Sequence, residues 1–151
     1  MPLQPQQLQF LDAAIEEAIA GRDEGGIPIG AVLVIDDQIV GRGHNRRVQQ
    51  GSAILHAEMD AIENAGRLPA AEYARATLYT TLSPCEMCSG MALLYKIPRL
   101  IIGESMTFQG PEAYLRSRGL EIQVVDDPRC VSLMREFIAR EAALWDEDIG
   151  V

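Results

Sequence analysis

Apolar side chains recur at helical spacing near the start of the chain, at Phe10, Leu11, Ala14, Ile15, Ala18 and Ile19. The spacing predicts a first helix that ends near Gly21. Gly25-Gly26 then interrupts the chain, and Gly30 to Ile35 (GAVLVI) is unbroken apolar sequence. A run that short and that uniform suits a strand buried on both faces. Asp36-Asp37 can turn the chain, so Gln38 to Arg42 is expected to return as a second strand. Ile54 to Ala65 reads as a helix closed by Gly66, and Ala76 to Thr81 as a third strand. Cys85 to Tyr95 reads as a helix, Arg99 to Gly103 as a fourth strand and Leu120 to Val125 as a fifth. Ala113 to Arg118 fits a short helix between the last two strands. Pro128 to Ala143 has the pattern of a final amphipathic helix, with proline where the first turn tolerates it.

Strands alternating with helices predict an α/β domain, a three-layer α/β/α arrangement around a five-stranded mixed central sheet. The first two strands are expected to form an antiparallel hairpin. The later ones are joined through helices and should be parallel. The sequence shows no internal repeat, low-complexity segment or linker, so residues 1–151 read as one domain.

The chain is 48% hydrophobic over 151 residues. A domain of that size buries roughly 68–70% of its unfolded surface, so a metal here would serve function rather than folding. There are 13 basic and 22 acidic residues, a net charge of -9. That balance opposes broad binding to nucleic-acid phosphates, and no nucleic-acid partner is expected. The three cysteines, Cys85, Cys88 and Cys130, are an odd count with two in a C-x-x-C pair, which is not a disulfide framework. Met1 to Gln9 is polar and lacks a signal pattern. No apolar stretch approaches the ~18 residues of a membrane span. The expectation is a soluble, cytoplasmic protein without a membrane partner.

The chemistry concentrates in two short segments, His56-Ala57-Glu58 and Pro84-Cys85-Glu86-Met87-Cys88. One imidazole and two thiolates supply three protein ligands for Zn2+, one ion per chain. They leave a fourth tetrahedral position free, as in catalytic zinc sites. Ser83, Pro84 and Glu86 have the pattern of N-cap, N1 and N3 of a capping box, which would start a helix and set Cys85 and Cys88 on its first turns. Helix starts favour thiolates. His56 falls near another helix start, and two such starts across neighbouring strands would gather the ligands at the strand ends. Glu58 points away from His56 on an ideal helix, which suits a proton carrier rather than a ligand. H-x-E with P-C-x-x-C is the signature of zinc-dependent nucleobase deaminases. Taken singly, the cysteines also fit a redox pair or buried thiols, and His56 a structural histidine. Cys130 or His44 could close a structural zinc site, but neither has a pairing pattern, and Cys130 reads as packing.

Beyond these motifs the chain resembles the cytidine-deaminase-like superfamily, and within it the fungal cytosine deaminases. The likeness covers nearly the whole length. It is carried by GGIPIG (Gly25 to Gly30), GRGHN (Gly41 to Asn45), LYTTLSPCEMC (Leu78 to Cys88), IPR (Ile97 to Arg99) and EDIG (Glu147 to Gly150). The resemblance implies zinc on His56, Cys85 and Cys88, with Glu58 as the catalytic acid and base. It implies that Asn45 holds the carbonyl of the base and that Asp148 accepts from the amino group that leaves. Phe108 and Trp145 match aromatic positions that enclose the ring. Main-chain groups of Ala57 and Leu82, with the Ser83 carbonyl, would touch the base edges. A homodimer acting in pyrimidine salvage is also implied. Two departures stand out: Ala57 where the fungal motif has glycine, and Asp146 in place of an aromatic residue.

The expected activity is zinc-dependent hydrolytic deamination of a free nucleobase, cytosine to uracil plus ammonia. Other readings are the same chemistry on isocytosine, guanine or creatinine, deamination of adenosine in tRNA, or a non-catalytic zinc-stabilised interaction domain. Residues 144–151 interleave Leu144, Trp145 and Ile149 with Asp146, Glu147 and Asp148. That mixture is expected to close over the active site as a lid, with one carboxylate turned inward.

Overall fold

In the computed structural model, which describes residues 2–151, β1 is Gly30–Ile35, as the apolar run predicts, and every one of its residues is buried. Ala31, Leu33 and Ile35 enter one core cluster, and Val32 and Val34 the other. A strand with a core on both faces has no solvent side, which is why its sequence does not alternate.

Asp36 and Asp37 both adopt positive φ, of 50° and 60°. This two-residue turn has the handedness that hairpins favour, and it returns the chain into β2 (Gln38–His44). Among the described residues, β2, β1, β3 (Ala76–Leu82), β4 (Arg99–Glu104) and β5 (Glu121–Val124) lie side by side in that order. β1 is antiparallel to both neighbours, while β3–β4 and β4–β5 are parallel. The expected hairpin and the parallel later strands are both present.

Helix α1 (Pro5–Asp23) packs on one face of the sheet through Leu11, Ala14 and Ala18. It shares that cluster with Cys130 and Leu133 of α7 (Pro128–Arg140). The opposite face carries α3 (Ala57–Ala65) and α5 (Glu86–Leu94), through Ala57, Ala61, Met91 and Ala92. The α/β/α layering is thus the one expected. Helix α3 lies directly on β2, and a Cβ on Gly43 would meet Ala61 N at 2.5 Å, so this close approach requires glycine. The approach matters because α3 carries Glu58 and is preceded directly by His56.

Short helices α2 (Arg47–Gln50), α4 (Ala70–Tyr73) and α6 (Glu112–Ser117) occupy connections. The final helix departs from expectation. Instead of running to Ala143, α7 stops at Arg140, and α8 (Ala142–Asp148) starts after a non-helical Glu141 with φ -134° and ψ 52°. The bend turns Trp145 into the core, where it is 6% exposed. Burying a large side chain stabilises by about 1.5–3 kcal/mol, more than the helical bonds lost at one residue.

Candidate active site

The site lies where α3 and α5 begin. His56 is the N-cap of α3 and Cys85 the N-cap of α5, both with extended backbone. The expected capping box at Ser83 is not formed, and α5 starts two residues later. Ser83 instead lies just past the end of β3, its N–H donating to the Glu104 carbonyl at 3.0 Å. Its hydroxyl donates to Glu112 Oε2 at 2.6 Å and accepts from Gly110 N–H at 3.0 Å. Its hydroxyl is thus engaged across the loop, and α5 begins at Cys85 without a side-chain cap. The Cys85–Cys88 spacing survives this shift, because N-cap and N3 share the first turn.

His56 Nδ1 lies 3.4 Å from Cys85 Sγ and 3.8 Å from Cys88 Sγ. The three donor atoms are all within 4.8 Å of one another. A tetrahedral zinc, with bonds of about 2.3 Å to sulfur and 2.0–2.1 Å to nitrogen, needs roughly 3.6 Å between the nitrogen and each sulfur. The donor set therefore fits zinc without rearrangement. Among the described residues it forms the only such cluster, and it contains neither alternative fourth ligand. The His44 ring nitrogens contact Glu17 and Glu24 at 2.9 and 2.8 Å, and Cys130 is packed in the core on α7. All three cysteines are free thiols.

The thiols are electrostatically unequal. The hydrogen bond from Cys88 pulls Cys85 down to about 4, against burial and with help from His56. Cys88, as the donor in that bond and deeply buried, is pushed well above the ordinary thiol value. Burial works to lower His56, but Cys85, Asp148 and Glu58 overcome it and raise the imidazole to about 9. Burial pushes Glu58 up to about 7, with His56 opposing.

The far side of His56 is lined by α8. Asp148 Oδ1 lies 3.6 Å from His56 Nε2 and accepts a hydrogen bond from Asn45 Nδ2 at 3.0 Å. Asn45 is fully buried and Asp148 nearly so. Phe108 and Trp145 meet edge to face, with ring centroids 6.0 Å apart. Ala57, Leu82 and Trp145 belong to one buried cluster against which Phe108 packs. The loop bearing Phe108 is tied down by Glu104, whose carboxylate accepts from Met106 N–H at 2.7 Å and from Thr107 N–H at 2.9 Å. The Thr107 hydroxyl also donates to Glu104. Gly110, on the same loop, approaches so closely that a Cβ would fall 1.7 Å from the Pro84 carbonyl oxygen. Of the residues singled out in the sequence, His56, Cys85, Cys88, Asp148 and Asn45 thus form one polar cluster, and Ala57, Leu82, Phe108 and Trp145 one apolar cluster. Those that sequence reasoning missed are supports: Glu104, Glu112 and Arg47. Their only signal is position, since Glu104 and Glu112 are isolated acids that prove to be buried.

Fold and donor set together define a zinc-binding deaminase domain. Residues 4–104 match the cytidine and deoxycytidylate deaminase zinc-binding region, and the chain belongs to that family of hydrolytic deaminases. It is 48% identical to the cytosine deaminase of Candida albicans over 141 residues, covering 93% of this chain and 94% of the relative. It is 43% identical to a tRNA-specific adenosine deaminase of Streptococcus pyogenes over 101 residues, 66% of this chain and 64% of the relative. Among solved structures, a guanine deaminase from Nitrosomonas europaea superposes with a TM-score of 0.70 at 23% identity, covering 92% of this chain and 87% of the other. That likeness concerns the fold. Among the described residues no helix is long and apolar enough to cross a membrane.

Proposed function

We propose that this deaminase hydrolyses free cytosine to uracil and ammonia. The observation that carries the reading is the pairing of Asn45 with Asp148 beside His56, a buried amide donor next to a buried carboxylate acceptor. Cytosine presents a carbonyl and an amino group, which such a pair complements. The similarity to a cytosine deaminase over 93% of the chain supports this choice, since the tRNA deaminase match covers only 66% of it. With α8 laid over the donor set, a small ring is accommodated more readily than a polynucleotide.

In this reading His56, Cys85 and Cys88 hold the zinc. When bound, zinc supplies Lewis acidity and brings the pKa of water at an open position to about 7. Glu58 takes a proton from water and passes it to the ring nitrogen. Water oxygen then adds at the amino-bearing carbon, and the carbon–nitrogen bond breaks. The amino group leaves as ammonia once Glu58 has assisted its protonation, so cytosine and water become uracil and ammonia. Asn45 donates to the base carbonyl and Asp148 accepts from the amino group. Phe108 and Trp145 enclose the ring and exclude water. Main-chain groups of Ala57, Leu82 and Ser83 touch its edges. The Ala57 methyl narrows the pocket by comparison with glycine. The protein works as a cytoplasmic homodimer in pyrimidine salvage, with residues 144–151 as the lid of a single domain.

An ammonia-release panel on the zinc-loaded protein tests the substrate. Cytosine should give the highest kcat/KM against isocytosine, guanine, creatinine and tRNA. A higher value for any of the others overturns cytosine as the substrate.

A further inference from the structure

One residue holds both of the side chains that receive the base in the reading above. Arg47 opens α2, and its main-chain N–H donates to Asn45 Oδ1 at 3.0 Å. Its Nε donates to the Ala53 carbonyl at 3.1 Å. Its Nη1 then reaches 3.5 Å from Asp148 Oδ1 and 3.7 Å from Glu147 Oε2. The Arg47 side chain is only 14% exposed.

We infer that Arg47 is a positioning residue that orients the Asn45 amide, fixes the Asp148 carboxylate and latches α8 over the pocket. The inference rests on the assignment of Asn45 and Asp148 as base ligands.

A side-chain amide can sit in either of two orientations. An N–H pointing at Asn45 accepts only its oxygen as partner, so the Arg47 main chain turns the NH2 group toward Asp148. One amide hydrogen is then used on Asp148, and the other remains for the carbonyl of a base. Asp148 has its own difficulty. It is buried beside Glu147, in a chain of net charge -9, at the C-terminal end of a helix where the backbone field is already negative. A carboxylate there needs a fixed cation. The Ala53 carbonyl holds the Arg47 guanidinium in place, which separates this pair from an exposed ion pair whose two ends wander.

The packing around the joint agrees with a latch. A cleft of about 370 Å³ lined by Arg47, Val48, Ser52, Leu144 and Glu147 runs along the outer seam between α2 and α8. That edge of α8 is not sealed by apolar packing, and the helix is preceded by the non-helical Glu141. Arg47 spans the seam at its inner end.

The test uses full-length, zinc-loaded protein carrying Arg47→Met or Arg47→Lys. Methionine keeps much of the apolar stem and removes the charge; lysine keeps the charge and loses the fork. Two readouts are taken. One is the split of kcat and KM on cytosine. The other is Trp145 emission and its quenching by acrylamide without substrate, which is specific because Trp145 is the only tryptophan in the chain. Arg47→Met should lower kcat/KM about 10- to 150-fold, the range expected when a charged hydrogen bond is lost, mostly through KM. Its Trp145 should quench more readily at unchanged zinc content and unchanged circular dichroism. Arg47→Lys should fall between Arg47→Met and wild type on both readouts, and it carries the test if Arg47→Met fails to fold. Wild-type quenching in the folded variant overturns the latch. Wild-type cytosine kinetics with altered quenching overturns the positioning of base ligands. If Asn45→Ala and Asp148→Asn also leave the kinetics unchanged, the base-ligand assignment itself has failed.

Discussion

Asp148 places Oδ1 3.6 Å from His56 Nε2, the imidazole nitrogen that does not face the thiols. At that separation, longer than a hydrogen bond, the carboxylate acts on the imidazole through its charge. Helix α8 therefore bears on the metal donors and, in the function proposed above, on the substrate as well.

Asp148→Asn is accordingly expected to act twice. Zinc affinity should fall, because a negative charge beside a ligand of a dication is removed. A competitive chelator titration measures it. With zinc restored to saturation, kcat/KM should still be roughly 10- to 150-fold low, because a charged acceptor for the amino group is gone. Unchanged zinc affinity would confine Asp148 to the substrate.

Wild-type protein should hold about one zinc per chain. Cys85→Ser and Cys88→Ser should each lose metal and activity together, read by elemental analysis beside ammonia release. Full activity in either variant removes that cysteine from the donor set.

Glu58→Gln should keep its zinc, since Glu58 is outside the His56, Cys85 and Cys88 donor set. Turnover should drop by ~10²–10⁴, the usual contribution of a positioned proton-transfer group. A variant within threefold of wild type, as about 0.6 kcal/mol on the barrier, leaves Glu58 without a role in proton transfer.

Asn45→Ala removes more than one contact. It strands the Arg47 N–H and takes a donor from Asp148, both in or beside a buried site. Leaving a buried polar group unsatisfied costs about 1–3 kcal/mol, so kcat/KM should fall roughly 5- to 150-fold with zinc retained. Wild-type kinetics would make Asn45 a turn residue only.

Away from the site, Asp127 caps α7 by accepting from Arg129 N–H at 2.9 Å. Asp127→Ala should cost about 0.5–2 kcal/mol in urea unfolding at neutral pH. The Arg129 guanidinium holds the Asp127 carboxyl below its ordinary value, so the folded pKa lies below the unfolded one. That contribution is present above the unfolded pKa, about 3.9, and is lost as pH falls through the folded value. The gap between variant and wild type should thus narrow in acid. A gap that widens instead would contradict the assignment.

The main strands and helices were legible because each bears a period or an unbroken apolar run, as β1 does. Four-residue helices such as α2 and α4 are too short to show one, and neither was anticipated. The break at Glu141 had no proline or glycine to announce it, because the cause is tertiary: the burial of Trp145. The Ser83 cap failed for the same kind of reason, since Glu112 and Gly110 claim its hydroxyl from across a loop. The metal donors could be read from two short motifs. Arg47 could not, because its partner Asp148 is remote in sequence and nothing local about one arginine marks it.

The order of these segments along the chain has a consequence for biosynthesis. His56, Cys85 and Cys88 all precede β4, whereas Asp148 follows β5 and α7. Domains are made from the amino end and fold as units during or after synthesis. A nascent chain thus contains every metal donor while Asp148 is still unmade, so the carboxylate beside His56 Nε2 is the last part of this cluster to be synthesised.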